Sequence, residues 1–316
     1  MAGLKDVPKA DKPAVGARLN EVKTALESAF VAKKQSIGSE GASVKSGPFI
    51  DVTEPGLAMG DGRRHILSRT IDEITEVFAR MGFAVAHGPE LEDEWHNFSA
   101  LNIPADHPAR EATDNFYLQT SKSRNVETPK QEIATDVDVS THRRFDVSSL
   151  MLRSQTSTVQ IRTMEKTKPP LKVIAIGRVY RPDTHDATHF SMFHQVEGLY
   201  VDRGVSMVDL KTTLFQFAKA YFGEQAEVRM RPSFFPFTEP SAEVDMKMQI
   251  KGEWKWVELG GCGMVDPNVF KAVGYDPEEW TGFAFGLGIE RIAMRKYGIS
   301  DIRLLFENDA RFLRQF

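Results

Sequence analysis

The chain has 316 residues, is 41% hydrophobic and 27% charged, and carries a formal net charge of −4. That length holds one large domain or two modest ones, with a core that needs no covalent staples. The single cysteine, Cys262, excludes a disulfide framework and a multi-cysteine zinc site and fits a reducing, cytoplasmic compartment; the mildly acidic balance excludes a generic polyanion binder, and no apolar run approaches the roughly 20 residues of a membrane span.

From Ala14 to about Lys34 the apolar positions Val15, Leu19, Val22, Leu26 and Phe30 recur at spacings of three and four. This predicts one amphipathic helix, either a surface helix or one arm of a helical hairpin. Gly38 to Gly62, rich in glycine, reads as a linker. The chain thus divides into a helical segment over 1–48, a connection over 49–64 and a main domain over 65–316.

Ile66, Leu67, Thr70, Ile71, Ile74, Val77, Phe78 and Met81 predict a second helix, stopped by Gly82, with a strand over 83–86. Residues 119–149 are polar and without period and read as a surface insertion. Arg153 to Arg162 is a polar cluster leading into a helix, most simply an N-cap, or else a set of hydroxyl and amide groups for a carboxylate or amine ligand. Leu171 to Arg181 and Phe193 to Val201 read as long strands around a loop. Ser206 to Asp209 reads as a capping box that opens a helix to Phe222. Strands follow over 226–231, 242–250 and 254–260, and Gly282 to Gly288 leads into a helix from about Ile289 to Tyr297. Strands in succession with helices set apart predict an α+β fold with a mainly antiparallel sheet flanked by helices.

Within this frame Gln195 and Glu197 share a strand face, where an amide beside a carboxylate can hold an ammonium group. Arg181 ends the preceding strand, placed to grip a phosphate or carboxylate. His185, Asp186 and His189 have a spacing that could suit zinc on a helix, but the segment is a loop after Pro182. Phe234, Phe235 and Phe237 beside Pro236 and Pro240 form either a rigid aromatic pocket wall or a hydrophobic plug. In the Gly282–Arg291 stretch, small residues allow close ligand approach and Arg291 can meet a phosphate. A dinucleotide loop is excluded, because the third glycine and the βαβ unit are missing.

Four strings, HNFSALNIPADHPAR (96–110), GRVYR with FHQVEG, FPFTEPSAEV (235–244) and GFAFGLGIERIAM (282–294), together resemble the α subunit of bacterial phenylalanyl-tRNA synthetase, a class II aminoacyl-tRNA synthetase. The resemblance runs from about His65 to Phe316. It implies the class II catalytic domain, with the helix from Ile66 as motif 1, the 171–201 hairpin as motif 2 and 282–294 as motif 3. It implies activation of phenylalanine by ATP to an adenylate, then transfer to the terminal ribose of tRNA(Phe). By resemblance, Arg181 and Arg291 are the catalytic arginines on the ATP phosphates, Phe193 stacks on adenine, and Asp183 and His189 lie along the nucleotide. Gln155, Ser157, Gln195 and Glu197 bind the polar end of phenylalanine. Phe235, Phe237, Ala284 and Gly286 shape the slot for its ring. Glu239 matches a Mg²⁺ position shared with a partner β subunit, and the implied assembly is an (αβ)₂ heterotetramer. The chain ends soon after Arg291, so no anticodon-binding domain of the single-chain organellar kind is expected. Two other readings are a catalytically silent relative and a class II enzyme for another amino acid. The aromatic residues with Ala284 argue for an aromatic substrate, and the full complement of arginines argues for activity.

Overall fold

The computed structural model describes residues 8–40, 62–118, 150–250 and 253–316. The expected polar insertion at 119–149 and most of the expected linker lie outside the described residues. The chain divides into two units, Met1–Asp61 and Gly62–Phe316.

In the first unit, helix α1 (Lys12–Glu40) runs six residues past the expected end and through Gly38, where the linker was expected to start. Its apolar stripe, Leu19, Val22, Leu26 and Phe30, is exposed. Propagation explains the extension: once a helix is nucleated, a glycine near its end costs only about 1 kcal/mol.

The second unit begins with α2 (Ile66–Arg80), capped by the His65 ring, which accepts from the Leu67 N–H at 3.1 Å. Then come β1 (Ala84–Ala86), β2 (Leu91–Asp93), a short α3 (Glu94–Asn97), β3 (Leu150–Leu152) and α4 (Ser157–Lys166). The long strands β4 (Leu171–Tyr180) and β5 (Met192–Asp202) precede α5 (Met207–Phe222). Asp209 accepts from the Ser206 N–H at 2.8 Å and its hydroxyl at 2.7 Å, so the expected cap is present. Strands β6 (Glu227–Phe235), β7 (Thr238–Ile250) and β8 (Glu253–Val265) form a meander, followed by α6 (Pro267–Ala272), β9 (Thr281–Gly288), α7 (Ile289–Tyr297) and α8 (Ala310–Leu313). Gly298, at φ 68°, closes α7 in the left-handed conformation that favours glycine.

The sheet order is β1-β4-β5-β9-β8-β7-β6. Only the β1–β4 pair is parallel. Residues directly opposite across a ladder share a face, so the register sorts the sheet into two sides. Phe285 and Leu287 point to the side covered by α2, α5 and α7, where Phe78 stacks on Phe217 at 4.9 Å and on Phe285 at 5.2 Å. On the other side Glu197, Gly286, Gly261, Glu243 and Arg231 lie in one row across five strands. One end of that side is closed by a second core around Phe98, Ile161, Leu199 and Phe270. The rest is open, and it holds the site.

The meander strands are longer than expected. Phe235 pairs with Thr238, so the aromatic segment is the turn of the β6–β7 hairpin, with a bulge before it. A proline turn between β-rich runs makes a tight hairpin, and the turn signal conceals that both strands reach it.

Candidate active site

A cavity of about 830 Å³ opens on the uncovered sheet face. It is lined by every residue that the resemblance assigns to phenylalanine or ATP; Glu239 sits exposed near the start of β7, and His185 and Asp186 of the loop are not part of the lining. The two ends of the cavity differ in chemistry.

At the inner end Glu197 is buried on β5. Its carboxylate accepts from the Thr156 N–H at 3.2 Å, from the Ser157 hydroxyl, and from Gln160 Nε2 at 3.2 Å. The N-cap expected within 153–162 is Thr156, but it makes no side-chain capping bond; the Glu197 carboxylate fills the helix N-terminus instead. Burial pushes the Glu197 carboxyl above the ordinary range, while the hydrogen bonds from Ser157 and Thr156 and the charge of Arg181 pull it down. Beside it, the Oε1 atom of Gln195 is buried and, among the described residues, has no hydrogen-bond partner. An orphaned acceptor next to a carboxylate suits an incoming ammonium, which brings three donors.

The ring slot is apolar. Phe235 and Phe237 stack with centroids 5.9 Å apart and planes 13° from parallel, and Phe234 instead points to solvent, 71% exposed. Ala284 and Gly286 face the cavity from β9, opposite Gly263 and Gly261 of β8. A Cβ at Gly261 would stand 2.7 Å from the Phe235 ring, so only glycine leaves that ring its place.

The outer end is cationic. The Arg181 side chain lies over the Phe193 ring at 5.4 Å and donates to the Ser154 carbonyl at 3.2 Å. Crowding by protein lowers its pKa from the ordinary arginine value; Asp183 and Glu197 oppose that, and Arg291 adds to it. Two guanidiniums kept near each other favour a polyanion between them. Arg291 faces Glu258 of β8 at 3.3 Å. The 181–191 loop is ordered by Asp186, which accepts from the Thr188 N–H at 2.6 Å and the His189 N–H at 2.7 Å and meets His189 Nδ1 at 3.0 Å. These bonds hold the Asp186 carboxyl well below its usual range. His185 turns instead to Ser191 and stacks on Phe190.

Sequence reasoning missed two groups and the role of a third, Arg153. Glu258 lines the cavity, although alternation along β8 places it with Trp254 and Trp256. The Gly260–Gly263 run carries the signal of a strand that something approaches closely. Arg153 is buried, and among the described residues it makes no ion pair. It donates to the carbonyls of Arg178 at 2.7 Å, Gly88 at 3.3 Å and Pro89 at 3.0 Å. A side chain at Gly177 would collide with its guanidinium. A lone buried arginine is not visible in a sequence read by patterning.

An open antiparallel sheet with two arginines facing a buried ammonium-type site defines the class II synthetase catalytic domain. Residues 49–316 match the family model of the class II core domain of tRNA synthetases (F), and residues 1–43 match that of the class II aminoacyl-tRNA synthetase N-terminal domain. A solved pyrrolysyl-tRNA synthetase from Desulfitobacterium hafniense has the same fold at a TM-score of 0.54, with 14% identity, covering 78% of this chain and 75% of that one. The phenylalanine–tRNA ligase α subunit of Rhodopirellula baltica is 54% identical, over 99% of this chain and 85% of that protein. The α subunit of Syntrophus aciditrophicus is 49% identical, over 97% and 85%. The chain belongs to the phenylalanine–tRNA ligase α-subunit family.

Proposed function

We propose that this cavity activates L-phenylalanine with ATP and passes it to the terminal ribose of tRNA(Phe), as the phenylalanine–tRNA ligase (EC 6.1.1.20) of translation. The observation that carries the substrate assignment is the orphaned Gln195 Oε1 beside the buried Glu197 carboxylate, at the end of a stacked Phe235–Phe237 wall. Phenylalanine is zwitterionic at one end and apolar at the other, and the cavity offers both environments. Glu197 and Gln195 take the ammonium, with Ser157 and Gln155 beside them. Gln155 is turned by its bond to the Asn97 carbonyl at 3.1 Å. A tyrosine hydroxyl would enter the apolar slot without a partner and be rejected.

Arg181 draws the substrate carboxylate and the ATP α-phosphate together, and the carboxylate oxygen attacks phosphorus in line as pyrophosphate leaves. Arg291 takes the charge that develops on the departing phosphates. Phe193 offers a stacking face to adenine, flanked by Asp183 and His189. No protein nucleophile takes part. In the second step a ribose hydroxyl of the tRNA attacks the activated carbonyl, and AMP leaves.

The donor set suits Mg²⁺, which favours carboxylate oxygens together with substrate phosphates and water. Glu258, in the cavity, and Glu239, which among the described residues makes no ion pair or hydrogen bond, are the carboxylates that would hold it. When bound it would neutralise phosphate charge. The domain division at 48 and 64, the partner β subunit, the (αβ)₂ assembly and a cytoplasmic location complete this reading. Among the described residues no helix is long and apolar enough to cross a membrane.

The test is phenylalanine-dependent ATP–pyrophosphate exchange by the chain co-expressed with its β partner, with a panel of amino acids. Exchange confined to phenylalanine is expected. A folded complex without exchange would make this a silent relative, and preference for another amino acid would overturn the substrate assignment.

A further inference from the structure

The open sheet face does not end at the cavity. Arg229 of β6 lies opposite Asp245 of β7, which lies opposite Glu258 of β8, and Lys247 lies opposite Trp256. These residues share the face of Gly261 and Gly286, so the row that floors the cavity continues outward along β8. Glu258 is on the cavity wall. Trp256 stands two residues beyond it and Trp254 four, about 7 and 14 Å along the strand. Both indoles are accessible, at 37% and 62%, and among the described residues no element covers them. Arg229 lies over the Trp256 ring at 4.4 Å and Lys247 over the Trp254 ring at 5.9 Å.

The cations here are already neutralised. Arg229 and Arg231 share Asp245 at 2.8 and 2.6 Å, Arg231 also meets Glu243 at 2.6 Å, and Lys247 meets Glu227 at 2.8 Å. The surface therefore offers aromatic faces in a charge-balanced frame, which selects flat, stackable groups over phosphate charge.

We propose that Trp254 and Trp256 form a stacking shelf for the unpaired bases at the 3′ end of the tRNA, leading its terminal ribose to the adenylate. This rests on the functional reading above, because that reaction requires a single-stranded RNA end to enter this cavity. The approach lies on one sheet face, which carries a β-bulge between Glu258 and Gly261, and the two tryptophans stand two residues, about 7 Å of strand, apart, so that each can receive its own base. Stacking tolerates any base, and it supplies contact energy that a chain of net charge −4 does not supply through bulk charge.

The experiment uses the complex with the β subunit carrying Trp254→Ala, Trp256→Ala, or Trp256→Phe. Affinity is measured for tRNA(Phe) transcripts with and without their unpaired 3′ nucleotides, beside pyrophosphate exchange. Each alanine variant is expected to bind intact tRNA about 5- to 150-fold more weakly, from the usual worth of one stacked base. Its loss should vanish on the trimmed tRNA, with exchange unchanged and Trp256→Phe near wild type. Equal loss on intact and trimmed tRNA, no loss at all, or a Phe variant as impaired as the Ala variant would overturn the shelf. So would failure of the alanine variants to co-purify with the β subunit, which would make this face a subunit interface. Absence of exchange in the wild-type complex would instead strike the functional reading, and would be seen before any variant is made.

Discussion

Glu197 shows how one residue trades stability for binding. Its folded pKa is raised chiefly by burial. A carboxyl with a raised folded pKa loses stability as pH climbs from the unfolded value towards the folded one, because the native state keeps the proton longer. Glu197→Gln is therefore expected to leave the protein at least as resistant to denaturant at neutral pH. The same substitution removes the charge that an ammonium needs. In the wild type, KM for phenylalanine should rise as pH falls through the raised pKa, with an inflection above the ordinary glutamate value of 4.5. In Glu197→Gln the inflection should vanish and KM stay high. An unchanged profile in the variant would remove Glu197 from ammonium binding. Arg181→Ala should abolish exchange with the unfolding transition intact, since its main role is charge in the cavity. Ala284 and Gly286 set the slot from opposite sides of the same question. Ala284→Gly is expected to relax discrimination against ring-substituted phenylalanine by about tenfold. At Gly286 an added Cβ would lie 3.2 Å from Glu197 Cγ, so Gly286→Ala should raise KM for phenylalanine about tenfold.

At the scale of elements, the helices from Ile66, Met207 and Ile289 are legible because each buries one periodic stripe between clear stop and start signals. Strands β4 and β5 are legible to within a residue or so, since long β-branched runs flank a polar, proline-started loop. The β6–β7 hairpin is less so: its turn, Pro236-Phe237, is made of residues that also read as a pocket wall, and the wall and the turn are one object. The role of Arg153 was invisible for a different reason. Its value lies in three carbonyls from segments far apart in sequence, Gly88, Pro89 and Arg178, and no local pattern encodes such a meeting. It locks the segment that carries Ser154, whose carbonyl receives Arg181, and Ser157. Arg153→Met should strand those carbonyls and cost about 3 kcal/mol, read as a lower denaturant midpoint at constant m-value. Gly177→Ala, which displaces the same guanidinium, should cost a comparable amount. If Gly177→Ala is neutral, the arginine is not held as tightly as its contacts require.

At the scale of the molecule, a net charge of −4 makes the chain as a whole a poor tRNA ligand by charge. A second group of exposed apolar side chains lies on other elements, away from the cavity lining. Val85 on β1, the outermost strand of the large sheet, and Leu91, Phe116 and Leu118 around the small β2–β3 sheet are each more than a third exposed. An edge strand and exposed apolar side chains are each an invitation to pair, and β1 follows α2, the helix that the resemblance reads as motif 1. The partner β subunit is therefore expected to dock here. Leu91→Lys combined with Leu118→Lys should release the β subunit on gel filtration while the isolated chain keeps its unfolding midpoint, because neither side chain is part of the core. Exchange should fall with assembly, and the wild-type chain alone should be inactive. If the doubly substituted chain still assembles, the subunit contact lies elsewhere. If the chain alone exchanges as well as the complex, the cavity is self-sufficient, and the partner's contribution is confined to holding tRNA.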